Sequence, residues 1–366
     1  AALTIAPAEA FGQREHFAAL LALPYVAAAV QLAEGRAPRT SLRILAGLLC
    51  GVGMAFKPYL LAIPLLVEIF LLWEKRAWRN LFRAEIIGMA AIVAVFPVLV
   101  WQFTPHYFTE IVPLALLTYG AFQNPISGIV SRPDAVSSFL LLGIAVYLVR
   151  RRGAQQRGDW VWIFAGLGGF LCFFAQLKGW PYQRLPAMIF ILIPVILNVL
   201  RNFGPVSGIV VLGCLGAVMI AGLVSFARVQ YSRLAFIDDL LAGHKPQRMM
   251  ALSYDLRVLF PYVEKRNIVW AGRFHALWML PAVSKGLIPV DQQDAVIAQA
   301  TEIVTQDLVS WKPDFVIVDR RSDTPTLRGQ EVKYIAWFSR SPEFVQAWSS
   351  YKMVNSTGTF EVWELQ

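Results

Sequence analysis

The sequence predicts an α-helical polytopic membrane protein of about eight spans, followed by a small α/β extracytoplasmic domain. Three observations carry that expectation. Of 366 residues, 57% are hydrophobic and only 16% are charged, whereas a water-facing domain carries about 25% charged residues. The deficit is uneven, because residues 17–227 hold long apolar runs broken by short basic clusters while 228–366 have the composition of a soluble domain. The basic clusters also alternate from rich to sparse along the chain, which converts into an orientation. The expected domains are a transmembrane one over 1–228 and a periplasmic one over 229–366.

The apolar runs cover 17–33, 44–56, 58–73, 85–101, 136–149, 160–177, 185–200 and 205–227. Several fall short of the ~20 residues that cross a full hydrocarbon core. Only Lys57 and Pro58 separate the second run from the third, and the loop charges decide between one tilted helix and a two-helix hairpin. With a hairpin there, Arg36, Arg39 and Arg43, then Lys75, Arg76, Arg79 and Arg83, then Arg150, Arg151, Arg152 and Arg157, then Arg201 all fall on one side. That side is cytoplasmic by the positive-inside bias. The sparse connections, with Lys57, with Arg132, and with Lys178 and Arg184, then face outward together with the C-terminal domain. The net charge of +9 is thus largely a property of membrane loops, and nucleic acid is not an expected partner.

Cys50, Cys172 and Cys214 lie inside apolar runs and read as small buried hydrophobes, with neither a disulfide framework nor metal-type spacing. Residues 1–10 contain no initiator Met and form neither a signal peptide nor a complete span, so upstream spans are expected to be missing from this fragment. In the C-terminal part, 315–319 reads as a buried strand, 249–252 and 267–270 as weaker ones, 291–310 as a helix, and 357–359 as a turn between two terminal strands. No Gly-rich phosphate loop, nucleophile elbow or metal motif is present there.

The polar residues at the outward boundary are the informative ones. Glu15 stands between Arg14 and His16 at the head of the first span. Two roles fit it equally: binding a metal or deprotonating an acceptor hydroxyl, or favouring the positive end of a helix dipole. Lys57, Lys178 and Arg184 are outward cations that run against the charge bias. Each alone fits snorkelling to lipid headgroups, but three meeting at one face fit a phosphate ligand better. The 102–134 connection holds His106 and Glu110 before an apolar stretch, 111–122, too short to span. It fits an interfacial amphipathic helix better than a cleft lining. Glu68, inside an apolar run near Lys75 and Arg76, reads as half of a structural pair.

A Glu at the head of a span, a hairpin broken by Lys57 and Pro58, and the loop Lys178-Gly179-Trp180-Pro181-Tyr182-Gln183-Arg184-Leu185-Pro186 resemble the GT-C superfamily. These are polytopic glycosyltransferases that use polyprenyl-phosphate-linked sugars. The resemblance covers roughly 11–200 and includes Phe11 to His16. It implies that Glu15 helps form the active site or a divalent-metal site (Mg or Mn), with His16 assisting. Lys57, Lys178, Tyr182 and Arg184 would face the lipid phosphate. The superfamily's principal catalytic Asp lies in a first outer loop that no position here matches.

The expected function is transfer of a sugar from a polyprenyl-phosphate donor to an envelope glycan or lipid acceptor, at the outer face of a bacterial inner membrane. Trp180, Tyr182 and Tyr119 offer faces for the sugar, though interface belts use the same residue types. Two rivals remain open. A transporter or flippase for a lipid-linked solute requires ionisable groups near the bilayer midplane, and a non-catalytic scaffold would follow if the sequence were complete.

Overall fold

The computed structural model describes residues 12–36, 38–151, 157–202 and 204–366. Residues 1–10, Phe11 and Arg152, and the side chains of Arg79 and Cys214, lie outside that description. The chain divides into two compact units. One comprises 12–105 and 123–227, and the other 106–122 together with 228–366.

The first unit is a helical bundle. Its elements are α1 (Arg14–Ala33), α2 (Thr40–Ala55), α3 (Ala62–Lys75) and α4 (Ala84–Phe103). After α5 (Val112–Thr118), which belongs to the second unit, come α6 (Ile126–Val130), α7 (Pro133–Arg151), α8 (Arg157–Ala175) and α9 (Leu185–Asn202). The helix α10 (Gly204–Leu240) begins in the first unit and ends in the second. Every apolar run of the sequence is therefore helical. Among the described residues five helices are long and apolar enough to cross a membrane: Arg14–Ala33, Ala84–Phe103, Pro133–Arg151, Arg157–Ala175 and Pro181–Arg201. Thr40–Ala55 is apolar but shorter.

The chain breaks at Lys57 as expected, since Pro58 has no N–H to donate and its ring obstructs a continuing helix, and a single 3-10 turn (Pro58–Leu61) leads into α3. The expected hairpin is corrected in one respect. α2 packs on α1 and α4, while α3 packs on α8 and α1, so α1 lies between the two arms. The small side chains of Ala18, Ala19, Ala22, Ala29 and Ala33, all buried, let α1 take that central place.

Close contacts fix the helix directions. Gly53, late in α2, lies against Ala18, early in α1, and Gly158, early in α8, lies against Glu34 beyond the end of α1. Gly47 of α2 meets the backbone of Glu85 at the start of α4, where an added Cβ would collide with the carbonyl oxygen. The helices therefore run up and down in turn. One end gathers Lys57, the 178–184 loop and the start of α1. The opposite end gathers Arg43, Arg83, Arg157 and Arg201 with their partners.

The second unit is built on a five-stranded sheet. Its strands are β1 (Arg248–Leu252), β2 (Val269–Trp270), β3 (Phe315–Asp319), β4 (Tyr351–Ser356) and β5 (Phe360–Leu365), in the order β2-β1-β3-β5-β4. The first three are parallel, and β5 runs antiparallel to β3 and β4. β3 is buried along its whole length, because helices cover both faces. Val316 and Val318 point into a core shared with α12 (Leu280–Ser284), α13 (Val290–Trp311), α14 (Tyr334–Phe338) and α15 (Pro342–Trp348). Phe315 and Ile317 point the other way, toward the end of α10 and α11 (Tyr262–Lys265). α5 joins this unit through Leu114, and the 3-10 turn after it (Tyr119–Phe122) through Ala121, with Lys285 Nζ donating to the Ala121 carbonyl at 2.7 Å.

Candidate functional site at one end of the helical bundle

Three local features assemble the site. α1 begins at Arg14, so Glu15 occupies its first turn. The break before Pro58 places Lys57 in extended conformation and Tyr59 in the turn that follows. Between α8 and α9 the chain reverses at Gly179, which adopts φ +66 and lies so close to Ile129 that a Cβ would stand 3.1 Å from it. Only glycine takes that backbone shape without strain. Pro181 then starts a second 3-10 turn (Pro181–Arg184), pinned by the Gln183 side-chain carbonyl accepting from the Trp180 N–H at 3.3 Å.

These features bring Glu15, Lys57, Tyr59, Lys178, Trp180 and Tyr182 together. Glu15 is fully buried. Its Oε1 accepts from Lys57 Nζ at 2.5 Å and from the Tyr59 hydroxyl at 3.0 Å, while its Oε2 is buried with no partner. The Lys57 ammonium also faces the rings of Tyr182 at 5.3 Å and Tyr59 at 5.7 Å. Lys178 is 6% exposed and lies 4.6 Å from the Trp180 ring. Burial draws the Lys57 ammonium below its ordinary value, with Glu15 opposing. Burial and then the neighbouring Lys57 charge draw Lys178 down to about 8, again with Glu15 opposing. Among the described residues, half-buried Lys57 and buried Lys178 thus lie about the Glu15 carboxylate in a largely dry, aromatic-lined setting. That setting favours an anion, because an ammonium there gains more from a negative partner than it would in water.

Arg184 does not join them as expected. It donates to the Asp134 carbonyl at 2.8 Å and to the Ser138 hydroxyl at 3.0 Å, and pairs with the Asp134 carboxylate at 3.5 Å. Its fork thus braces the start of α9 against the first turn of α7. His16 is buried, and its Nδ1 accepts from the Gly12 N–H at 3.1 Å. Tyr119 sits in the second unit with its ring 5.0 Å from Trp278. His106 and Glu110 pair with each other at 2.8 Å on the surface of that unit. As for a divalent metal, Glu15 is engaged by an ammonium and a phenol. Among the described residues no three His, Cys, Asp or Glu side chains gather as a ligand group. The described residues at this end fit an anion better than a cation.

Two polar clusters escaped the sequence reading. At the opposite end of the bundle, Glu68 accepts from the Tyr25 hydroxyl at 2.5 Å and from Arg83 at 2.6 Å. Its partner is therefore Arg83, not Lys75 or Arg76. Arg83 also holds Glu85 at 2.8 Å, and Arg43 holds the other oxygen of Glu85 at 2.8 Å. In the second unit, the C-terminal ends of β1 and β3 carry Ser253, Asp255, Asp319 and Arg321. Ser253 donates to Asp319 at 2.7 Å, and Arg321 bridges Asp319 at 2.8 Å and Asp255 at 3.3 Å. Burial opposes the ionised form of Asp255, but hydrogen bonds and charge from Arg257, with Arg321 behind, hold its carboxyl below the ordinary value. Both clusters join residues far apart in the chain, so no local spacing signals them.

Comparison of the chain with protein-family models, with curated proteins and with solved structures found no match.

Proposed function

We propose that this chain is a multi-pass membrane glycosyltransferase of the GT-C type. It moves a sugar from a polyprenyl-phosphate donor to a cell-envelope acceptor at the outer face of a bacterial inner membrane. The observation that carries this reading is the gathering of half-buried Lys57 and buried Lys178 about the Glu15 carboxylate, among the rings of Tyr59, Trp180 and Tyr182.

Membrane residence is supported by the apolar exterior of the bundle. Trp73, Trp78, Phe82, Val98, Trp101 and Phe103 are all more than half exposed, which water does not favour and a bilayer does. Orientation is supported by the distribution of arginines. The end rich in them reads as cytoplasmic, which leaves the Lys57 end and the second unit on the outer side.

In such a transfer the polyprenyl phosphate is itself the leaving group. The protein's tasks are to hold the phosphate, to stabilise its charge as the glycosidic bond breaks, and to prepare an acceptor hydroxyl. Lys178 and Lys57 serve the first two. Glu15 serves the third through Oε2, which is positioned by the two donors on Oε1. Tyr182 and Trp180 offer faces to the sugar. No step is assigned to a metal ion.

The test is a panel of polyprenyl-phosphate-linked sugars incubated with the purified protein in detergent, with release of free polyprenyl phosphate as the readout. Release from one donor that is lost in Lys178→Ala is the expected result. No release from any donor, in the presence of bacterial envelope acceptors, would contradict the reading.

A further inference from the structure

Glu15 and Lys57 are bonded to each other, yet the reaction asks each to serve a different ligand. We infer that the Glu15–Lys57 pair is exchanged during turnover: an incoming phosphate takes Lys57 away from Glu15, and only then is the carboxylate released to a hydroxyl-bearing ligand. The inference rests on the glycosyltransferase reading and adds an order to it.

The geometry supplies the reason. Lys57 Nζ and Tyr59 Oη both converge on Glu15 Oε1. Lys57 keeps 14% of its side chain exposed, whereas Glu15 keeps none. The lysine is thus the mobile and accessible partner, and the carboxylate is the fixed one. A phosphate bound at Lys178 brings its charge near Lys57, because the adjoining rings of Trp180 and Tyr182 hold one lysine each, Lys178 at 4.6 Å and Lys57 at 5.3 Å. Once Lys57 turns to the phosphate, Glu15 retains the Tyr59 hydroxyl on Oε1 and has a second oxygen without a partner. A buried carboxylate stripped of its cation is unfavourable, so it gains more from a ligand hydroxyl than it did before. Phosphate and hydroxyl binding are therefore coupled, and the coupling is reciprocal. Glu15 also acts as an internal competitor of the phosphate for Lys57.

That competition gives the test its sign. Binding of a polyprenyl monophosphate to the full chain in detergent is measured by native mass spectrometry, with inorganic phosphate as a second probe that reports the headgroup without the lipid. Lys57→Ala weakens binding of both probes. Glu15→Gln, which keeps size and an acceptor but removes the competing charge, tightens both, by about tenfold for the lipid. Tyr59→Phe leaves Glu15 dependent on Lys57 alone, strengthens the pair and weakens phosphate binding a few-fold. Substitution of the carboxylate and of its phenol donor thus move affinity in opposite directions, which a merely damaged fold does not do. If Glu15→Gln binds equally or more weakly while Lys57→Ala and Lys178→Ala still weaken binding, the exchange is wrong and the phosphate site stands. If neither lysine substitution changes binding of either probe, the phosphate site falls, and the exchange with it.

Discussion

At the arginine-rich end of the bundle, Arg43 and Arg83 hold Glu85 and Glu68; at the other end, Lys57 pairs with Glu15, whose charge also acts on Lys178. Both ends bury charge, and at both a glutamate oxygen lacks a partner, on Glu68 as on Glu15. The difference lies in donor type. Arginine forks fix carboxylates in place and suit permanent pairs. Arg201 similarly holds Asp159 at 3.1 Å, with Asn198 donating to the same carboxylate at 2.9 Å. Lysines are compact charges on flexible stems. Arginine forks tie helices together, whereas a flexible lysine can turn to a ligand.

The largest effect expected from this contrast is structural. Arg83→Ala leaves Glu68 and Glu85 buried with their main cation gone, which costs on the order of 3–5 kcal/mol of stability. Thermal unfolding in detergent measures it, and a loss under about 1 kcal/mol would mean that the network is not a clamp. Next comes Lys178→Ala. Loss of a charged hydrogen-bonding partner lowers polyprenyl-phosphate affinity by about tenfold or more, with no comparable loss of stability. Arg184→Ala sharpens the comparison within the Lys57 end. Its guanidinium braces α7, so stability falls by about 1–2 kcal/mol while phosphate affinity stays near that of the wild type. A collapse of affinity there would return Arg184 to the phosphate.

The mildest test is pH. Lys178 is drawn down to about 8 by burial and by Lys57, so phosphate affinity declines as pH rises through that value and the ammonium is lost. Stability moves the other way. Between about 8 and the ordinary lysine range, the unfolded chain binds the proton that the folded chain has released, so the Lys178 contribution to stability increases with pH. Affinity titrations of wild type and Lys178→Ala separate this group from the rest, and a curve unchanged by the substitution would rule it out.

Much of the frame was legible in the sequence, for definite reasons. The runs 17–33 through 205–227 are predominantly apolar, and each became helical because a helix is what satisfies their backbone without polar neighbours. Strand 315–319 was legible as an unbroken β-branched run. Helix 291–310 was legible as a 3.6-residue period, and it extends one residue further at each end. Lys57 was placed by its proline. What escaped was pairing at a distance. Arg83 reads as one more loop cation, yet it turns inward to Glu68 and Glu85. The run 111–122 reads as an interfacial helix, yet Leu114 and Ala121 complete the core of the second unit. Arg184 reads as a phosphate ligand, and only its distance to Asp134 and Ser138 shows what it holds. Such choices depend on which residues of comparable chemistry come within reach, and a local pattern carries no trace of them.

The most direct test of the central claim compares retention of polyprenyl monophosphate by the wild type, by Lys178→Ala, and by Arg201→Ala at the opposite end of the bundle. The account predicts that the wild type and Arg201→Ala retain the lipid and that Lys178→Ala loses it. Equal retention by all three would show that the lysine-rich end binds no phosphate in particular, and would contradict the account.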